Sequence, residues 1–556
     1  MPTRRRALAL DGASVLAITV VTAAVSQRWA SLLLDAMFYA SEALHGSAVT
    51  DRAVETSYYW TRLGYLVPVR ALTSTLGPWA GFEAWRSVLL LGLAAGLFAT
   101  ARAFTSRLPA IAVVTPLMMS SVVLTYLGTA YLTGAVAAGT AVVLALALRR
   151  GTWAHVGAGA TLGWLAMVHP TGLLLASACW LALRIHGRFD WRRTALAVAS
   201  AGAVFLAFLG LGRIVFPRLD WLGTYLTWNA KLNYADYASS DQVWLRDISM
   251  LVPLVVLVVA VGAWVNDRTQ RSSQAALVVS ATSIAFMLAT NPLMGGIALE
   301  APMYQAMLWP PALTTLALVF AGRIGDRRAR PVAVLAAGVG ATVVVVAAGH
   351  FTGVLPGPVG VALAAVAAGI GIGAVWAARR LTTTAATVAL VLALALVLGI
   401  GQLLQNSRRT IGVYPTTPYS YAFVPNPSAD KMRAAVNAQQ WLLDHTTDAD
   451  SILNWVGGDW VGGDRELYMV AGMQLWGENR ATLEPRLAAE DTTRLEALRP
   501  TVIQMVAPTM DQVLEFWQSL PAQAHPTAPQ CYDFTWPMPD LPVGHSCLTR
   551  LSWPAT

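Results

Sequence analysis

The sequence predicts a polytopic α-helical membrane protein that ends in a small α/β domain. Of its 556 residues, 56% are hydrophobic and only 12% are charged, and the mean hydropathy is +0.53. Ordinary water-soluble domains carry about 25% charged residues. The composition therefore excludes a soluble globular protein of this length, and the bilayer is the first expected partner.

Apolar runs recur along the first 403 residues. Each is about as long as the ~20 residues that a membrane-spanning helix needs, and in lipid such a run must be helical because its backbone groups have no water to bind. A first span is expected near 12–30, and the clearest later ones are 87–101, 131–148, 249–265, 331–349, 356–378 and 384–403. Carried through the chain, the pattern predicts about 13 transmembrane helices.

The net charge of +8 is explained by membrane topology, so no nucleic-acid partner is expected. Basic residues cluster between alternate spans, whereas the connections near Gly128, His169, Asn291 and His350 carry no Lys or Arg. By the positive-inside rule the basic connections are cytoplasmic. The basic groups are Arg4–Arg6, Arg102 and Arg107, Arg149 and Arg150, Arg184–Arg193, Arg268 and Arg271, Arg323–Arg330, and Arg379 and Arg380. We expect a multi-pass plasma-membrane protein with a cytoplasmic N-terminus.

Two outer loops break this rule. Residues 31–86 and 216–247 face the outside in the predicted topology but contain basic side chains, which indicates that they bind an anion. The basic residues are Arg52, Arg62, Arg70, Arg218, Lys231 and Arg246.

The composition becomes that of a soluble protein after Gln402. We predict a transmembrane domain over 1–403, a proline-containing linker over 404–427 and an extracytoplasmic α/β domain over 428–556. Alternating helix and strand signals predict a layered α/β fold there. The expected elements are a helix at Ala429–Asp444 after Ser428, strands at Ile452–Val456 and Val502–Val506, and a helix at Met510–Leu520.

Two further features mark this domain. Cys531 and Cys547 both fall in it, and an oxidising compartment favours a disulfide between them. The pentapeptide Trp455–Asp459 is repeated as Trp460–Asp464. It lacks the lysine and spacing of a phosphate-binding loop. A turn after a strand and an aromatic loop that contacts a glycan are both open interpretations.

The first outer loop combines acids, aromatic residues and a cation. Helical spacing places Asp35 and Tyr39 on one face, with Glu42 a turn further. Carboxylates bind sugar hydroxyls, aromatic rings stack on sugar faces and an arginine neutralises phosphate. The other candidates in this loop are Asp51, Glu55, Tyr58 and Arg62. The alternative is an interfacial amphipathic helix with aromatic anchors.

The order of a first span, an immediate Asp35, a Tyr-containing helix and then Arg62-Leu63-Gly64-Tyr65, with Pro68 three residues on, resembles the GT-C glycosyltransferases of the family 39 type. Protein O-mannosyltransferases and bacterial aminoarabinose transferases belong to that group. The resemblance covers roughly residues 1–325. It implies a polyprenyl-phosphate sugar as donor and a carboxylate, here Asp35, as the general base that deprotonates the acceptor.

This sequence departs from the family pattern at two points. Many relatives carry an Asp-Glu pair where Asp35 is followed by Ala36, so a second acid would have to be Glu42, Asp51 or Glu55. No Asp-x-Asp occurs in the first outer loop, so a divalent metal is not indicated and no cofactor is expected. A base together with cations around a leaving phosphate would suffice for the transfer.

Other candidates lie in later connections. His169, in the turn His169-Pro170-Thr171-Gly172, falls where relatives often place a basic residue before proline, and the alternative is a capped, solvated histidine. Lys231 and Arg246 lie among aromatic residues that either line a lipid-phosphate groove or form an interfacial belt. Glu300 and Tyr304 precede Trp309, in a segment that resembles the one closing the donor site in relatives.

Three functions therefore remain open. The first is transfer of a sugar from a polyprenyl-phosphate donor to an extracytoplasmic glycan, lipid or protein. The second is a flippase or transporter of lipid-linked saccharides, which the near absence of charge within the spans disfavours. The third is a noncatalytic cell-envelope assembly protein. The Arg- and Ala-rich composition is typical of a GC-rich, actinobacterial genome, in which decaprenyl phosphate would carry mannose or arabinofuranose.

Overall fold

The structure is a computed structural model, and it is mostly helical. It describes residues 2–26, 39, 43, 58–120, 123, 127–128, 131–187, 189–217, 220–231, 248–294, 306–324, 437–438, 441–442, 444–447, 450–457, 481–485, 492–507, 509–535 and 543–554. The predicted spans at 331–349, 356–378 and 384–403, the linker 404–427 and the second copy of the pentapeptide lie outside these residues.

Twelve helices occur in the described part of the chain before residue 325. They are α1 Pro2–Val25, α2 Leu63–Leu76, α3 Pro78–Arg102, α4 Arg107–Met118, α5 Leu132–Ala147, α6 Thr152–Val168, α7 Pro170–His186, α8 Trp191–Val215, α9 Trp221–Lys231, α10 Ile248–Asn266, α11 Arg271–Thr290 and α12 Trp309–Ile324. Four segments among them are long and apolar enough to cross a membrane, namely Arg5–Ala24, Ala80–Arg102, Trp191–Val215 and Arg271–Thr290.

Basic side chains fasten the helices together at one end of the bundle. Asp11 of α1 forms ion pairs with Arg102 at 3.3 Å and Arg107 at 2.6 Å, which joins α1 to the connection between α3 and α4. Arg184 of α7 donates to the carbonyl oxygens of Ala147 and Arg149 at the end of α5. We call this the arginine-rich end. Its other contacts are Arg149 to the Ala99 oxygen and Arg193 to the Arg150 oxygen.

The opposite end of α1 lies against the start of α3. Arg86 is buried there, and its guanidinium donates to the Ser26 hydroxyl at 2.7 Å, the Ala23 carbonyl at 3.1 Å and the Glu83 carboxylate at 2.8 Å. Because α1 and α3 are thus fixed at both ends, they run antiparallel through the full height of the bundle. The turn between α6 and α7 lies at this second end.

Small residues allow α6 and α8 to pack closely. A Cβ on Gly159 would stand 2.0 Å from the Ala197 carbonyl oxygen, and one on Gly163 would stand 2.2 Å from that of Ala201. Between lipid-embedded helices, close backbone packing replaces the hydrophobic driving force that water supplies elsewhere. The remaining surface of α8 is apolar and exposed, as Val198, Leu206 and Ile214 show, which fits a helix that faces lipid.

A second structured region follows after residue 437. Its five strands form one sheet of order β2-β1-β3-β5-β4, in which β1 is parallel to β2 and β3, whereas β5 is antiparallel to β3 and β4. The strands are β1 Ile452–Val456, β2 Ala481–Pro485, β3 Val502–Ala507, β4 Gln530–Thr535 and β5 Val543–Arg550, with helices α13 Thr492–Leu498 and α14 Met510–Gln518.

Both faces of this sheet are covered, because alternate strand residues point to opposite sides. On one face Ile503 and Met505 pack with Phe516 of α14. On the other, Val502 packs with Trp441 and Leu442, in the stretch 437–445 whose described residues are helical. Both predicted strands and the predicted helix that begins at Met510 are thus present, although α14 ends two residues earlier and β3 one residue later than the sequence indicates. Of the predicted helix Ala429–Asp444, residues 429–436 lie outside the described part of the chain.

Cys531 and Cys547 face each other across β4 and β5 and form a disulfide.

The pentapeptide begins inside β1 rather than in a loop. Trp455 is 7% exposed and stacks on Phe516 with ring centroids 4.0 Å apart. Trp455 is therefore a core residue near the end of β1, and the glycan-contacting interpretation is wrong for it. Gly458 and Asp459 lie outside the described residues.

Two sequence interpretations of the membrane part also need correction. Residues 63–86, assigned to an outer loop, form α2 and the start of α3, and residues 221–231 of the other outer loop form α9. The hydropathy pattern does not reveal α2, because this helix is short and contains Arg70 and Pro68. Asp11 is one carboxylate of the arginine-rich end, where Asp190 also pairs with Arg193.

Candidate functional site

The candidate site lies at the end of the bundle opposite the arginine-rich end. A 3-10 turn, Tyr58–Thr61, leads directly into Arg62, whose carbonyl oxygen accepts bonds from the Tyr65 and Leu66 amides and so starts α2. The same end holds the first residue of α5, the turn between α6 and α7, and α9. Residues far apart in sequence therefore meet around the beginning of α2.

Gly64 makes this meeting possible. A Cβ at that position would stand 2.9 Å from the Trp164 carbonyl oxygen and from the Met167 carbonyl carbon. The Trp164 indole nitrogen in turn donates to the Gly64 oxygen at 2.8 Å. The glycine of the Arg-Leu-Gly-Tyr sequence thus lets α2 touch the end of α6, which brings Arg62 beside His169.

Arg62 and His169 are both buried, at 4% and 3% exposure. Burial, reinforced by the positive charge of Arg62, holds the pKa of His169 well below its usual range, so the imidazole is neutral at physiological pH. A guanidinium stays charged under the same conditions. The pair therefore offers one fixed positive charge next to a neutral ring that can donate or accept a hydrogen bond, a combination suited to a phosphate oxygen.

An aromatic cluster lies next to this pair. Tyr39 is 1% exposed, and its ring centroid is 5.7 Å from that of Tyr65 and 6.0 Å from that of Tyr131. Tyr65 makes an edge contact with Trp85 at 6.1 Å. These spacings are those of favourable aromatic pairs. The cluster fixes the orientation of the chain at Tyr39, four residues after Asp35 in the sequence.

Helix α9 forms a further wall. The Trp221 indole nitrogen donates to the Thr61 carbonyl oxygen at 2.8 Å, and its ring stacks on Tyr225 with centroids 5.1 Å apart. The Arg70 guanidinium lies 5.9 Å from the centre of the Phe216 ring. Trp221 therefore bonds the 3-10 turn that leads into α2, and Tyr225 stacks on its ring. The lipid-phosphate groove and the interfacial belt both stay predictions for this segment.

The structure thus brings together three of the sequence-predicted residues, Tyr39, Arg62 and His169. His169 does lie in a turn between two helices, but it is buried, which excludes the alternative of a solvated cap. Tyr58 begins the 3-10 turn and Lys231 ends α9. The predicted residues that lie outside the described part of the chain are Asp35, Glu42, Asp51, Glu55, Arg246, Glu300 and Tyr304.

Sequence reasoning missed Trp85 and Tyr131. Tyr131 immediately precedes α5 and Trp85 is the eighth residue of α3, and their buried rings contact Tyr39 and Tyr65 respectively. The available signal was an aromatic residue with a polar atom at the outer end of a span. Among the described residues no group of three His, Cys, Asp or Glu side chains is arranged to hold a metal ion.

Comparison with solved structures shows the fold. The chain superposes on ArnT from Cupriavidus metallidurans bound to undecaprenyl phosphate with a TM-score of 0.56 at 13% identity, covering 97% of each chain. The apo form of the same protein gives a TM-score of 0.54 at 14% identity, again over 97% of both chains. The chain has the GT-C glycosyltransferase fold.

The GT-C fold accounts for the mostly helical architecture. The arabinosyltransferase EmbB from Mycobacterium smegmatis is matched less well, with a TM-score of 0.44 at 15% identity over 76% of this chain and 43% of that one. No protein-family model and no curated protein sequence matches the chain.

Proposed function

We propose that the protein transfers a sugar from a polyprenyl-phosphate donor to an extracytoplasmic acceptor, with Asp35 as general base. The observation that carries the proposal is the buried Arg62 and His169 pair beside an aromatic cluster, at one end of a GT-C fold. ArnT, which shares the fold, is bound to undecaprenyl phosphate in one of its structures.

The roles divide as follows. Arg62 binds the phosphate of the donor, and His169 donates a hydrogen bond to a phosphate oxygen. Four residues of chain span at most about 14 Å, so Asp35 is tethered to the aromatic cluster through the buried Tyr39. Asp35 takes the proton of the acceptor hydroxyl while that oxygen attacks the anomeric carbon and the polyprenyl phosphate leaves. Direct displacement of this kind inverts the anomeric configuration.

Several finer expectations belong to this proposal. Mannose and arabinofuranose are the candidate sugars, decaprenyl phosphate is the candidate carrier, and the second acid is Glu42, Asp51 or Glu55. Lys231 and Arg246 are expected to line a groove for the lipid phosphate, and Glu300 and Tyr304 are expected to close the donor site. The C-terminal region guides the acceptor, and it lies outside the plasma membrane together with the site.

The deciding experiment compares the purified wild type with Asp35→Asn on a panel of polyprenyl-phosphate sugars. General-base catalysis contributes roughly 10²- to 10⁴-fold, so kcat should fall by that factor. The matched control is Asp220→Asn, because Asp220 is exposed at the same end of the bundle and its carboxylate accepts a hydrogen bond from the nearby Gly223 amide. Its activity should equal that of the wild type.

Two results would contradict the proposal. Equal rates for the wild type and Asp35→Asn would remove Asp35 as the base while leaving the transferase intact. A wild type that transfers sugar from no donor in the panel, yet moves labelled polyprenyl-phosphate sugar across proteoliposome membranes, would replace the transferase by a transporter.

A further inference from the structure

An open groove runs between α1 and α4 on the surface of the bundle. It encloses about 470 Å³. Ala13, Ala17 and Val21 line it from α1, and Ile111 and Thr115 line it from α4. The small side chains of Ala13 and Ala17 create the space between the two helices.

The walls of the groove present almost no free polar group. The Thr115 hydroxyl donates to the Ile111 carbonyl oxygen at 2.9 Å, and the Ser14 hydroxyl, also in the lining, donates to the Leu10 oxygen at 2.8 Å. Because these hydroxyls are bonded within their own helices, the groove offers hydrocarbon surface to its occupant. An alkyl chain fits that chemistry, and a polar ligand does not.

The end of the groove is positively charged. Arg107 lines it there and bonds Asp11 through Nε and the Ala7 carbonyl oxygen through Nη2. Its Nη1 donates to no atom of the described residues. Arg102 shares the same Asp11 carboxylate, and Arg5 and Arg6 are exposed on the preceding turns of α1. Arg102 and Arg107 thus share the Asp11 carboxylate, and together with the exposed Arg5 and Arg6 they give this end a surplus of positive charge for an anion.

The length of the groove matches one acyl chain of one leaflet. From Leu10 to Val21, eleven helical steps rise about 16 Å, and half of a hydrocarbon core of about 30 Å is about 15 Å. The charged end lies where the headgroups of that leaflet would be. Basic pockets beside membrane helices attract anionic lipid headgroups in this way.

From these observations we propose that the groove binds an anionic glycerophospholipid of the leaflet at the arginine-rich end. One acyl chain lies between α1 and α4, and the phosphate is held by Arg107 and the neighbouring arginines. This site lies at the opposite end of the bundle from Arg62 and His169. Its occupant is therefore a structural lipid and is distinct from a sugar donor.

The test of the apolar part measures retained lipid by native mass spectrometry. Full-length protein is equilibrated in detergent with phosphatidylglycerol or phosphatidylcholine. The wild type should retain one phosphatidylglycerol in preference to phosphatidylcholine. Ala17→Phe fills the groove and should lower this retention at least fivefold, whereas Leu16→Phe, on the exposed side of α1, should leave it unchanged.

The test of the charged part uses Arg107→Gln, which should abolish the preference for phosphatidylglycerol, and Arg107→Lys, which should keep it. Arg150→Gln is the matched control, because Arg150 is an exposed arginine at the same end but outside the groove. Size-exclusion profiles confirm that each variant is folded.

Three outcomes would overturn the proposal. One is equal retention of the two lipids by the wild type, and another is undiminished retention in a folded Ala17→Phe variant. The third is a wild-type dimer that Ala17→Phe dissociates, because the groove would then be occupied by a helix of a second copy.

Discussion

At the scale of single residues, Arg62 is a buried cation whose position is set by its neighbours. Gly64 allows the contact between α2 and α6, and the turn at His169 follows directly. If Arg62 holds the donor phosphate, removing its charged hydrogen bonds costs about 1.5–3 kcal/mol, or roughly 10- to 100-fold in kcat/KM for a polyprenyl-phosphate sugar. We expect this loss in Arg62→Gln, measured with a saturable donor, and a partial loss in Arg62→Lys.

Arg213→Gln is the appropriate control for that measurement, because Arg213 is exposed in the last turn of α8. It removes the same charge near the same end of the bundle without touching the buried pair. A loss of equal size in Arg213→Gln would show that Arg62 acts only through the general electrostatic field of the protein.

His169 makes a second residue-scale prediction, on pH. Burial and the charge of Arg62 hold the pKa of His169 well below 6.5, whereas the unfolded chain has the ordinary value. Below pH 6.5 His169 is therefore protonated in the unfolded state but not in the folded state. Stability should fall by up to about 1.4 kcal/mol per pH unit as the pH decreases from 6.5, and should be flat with respect to this group above it.

The measurement is the apparent Tm of the detergent-solubilised protein between pH 5 and 8. In His169→Asn the decrease of Tm with falling pH below 6.5 should be smaller, by the contribution of one proton. His186→Asn should retain the full slope, since His186 is exposed at the other end of α7. An unchanged slope in a folded His169→Asn variant would contradict the buried, neutral imidazole.

At the residue scale, residue types singled out some of the residues that meet at the site end, but the sequence did not reveal how they pack. Arg62, His169 and Tyr39 were predicted from residue type and order, and the structure brings them to one end of the bundle. Trp85 and Tyr131 were not predicted, because an aromatic residue with a polar atom near the outer end of a span occurs at core positions as well as at sites. Their role depends on contacts between distant helices, which a single sequence does not reveal.

At the scale of elements, the contact of α6 with α8 depends on the absence of two side chains. A Cβ on Gly159 would collide with the Ala197 carbonyl oxygen, and backbone cannot move aside as a side chain can. Gly159→Ala should therefore push the helices apart and cost about 1–3 kcal/mol. The readout is the apparent Tm in detergent.

Gly202 of α8 offers the matched control, since a Cβ there meets no atom within 4 Å. Alanine has the better helix propensity, by up to about 1 kcal/mol, so Gly202→Ala should be neutral or slightly stabilising. If both variants lowered the Tm equally, the loss would stem from helix propensity or lipid contact and not from the α6–α8 contact.

Prediction at the element scale succeeded where hydropathy alone decides. The apolar runs at 87–101, 131–148 and 249–265 correspond to α3, α5 and α10. The strand at Ile452–Val456 was predicted to the residue. Prediction from hydropathy failed for α2 and α9, because their polar residues are typical of loops. Helix α2 contacts α3, α6 and α8, and α9 contacts the 3-10 turn Tyr58–Thr61, so their residue patterns reflect these contacts.

At the scale of the whole molecule, the two ends of the bundle differ in charge. The helices deliver Arg102, Arg107, Arg149 and Arg184 to one end, as the alternation of basic connections predicted. Arg62 and His169 lie at the other. By the positive-inside rule we expect the arginine-rich end to be cytoplasmic and the site to open to the outside. An N-terminus inside and a C-terminal region outside require an odd number of spans.

Cysteine labelling tests this orientation directly, because the native cysteines give little background. Cys179 is buried, and Cys531 and Cys547 are joined in a disulfide. A membrane-impermeant thiol reagent applied to intact cells should label Asp220→Cys at the site end and Glu515→Cys on α14. Both native side chains are exposed, so the substitutions present accessible thiols.

Arg150→Cys, exposed at the arginine-rich end, should react only after the membrane is permeabilised. Labelling of Arg150→Cys in intact cells, with protection of Asp220→Cys, would reverse the orientation and place Arg62 and His169 on the cytoplasmic side. Labelling of Asp220→Cys but not of Glu515→Cys would instead give an even number of spans. The C-terminal region would then lie across the membrane from the site and could not guide its acceptor.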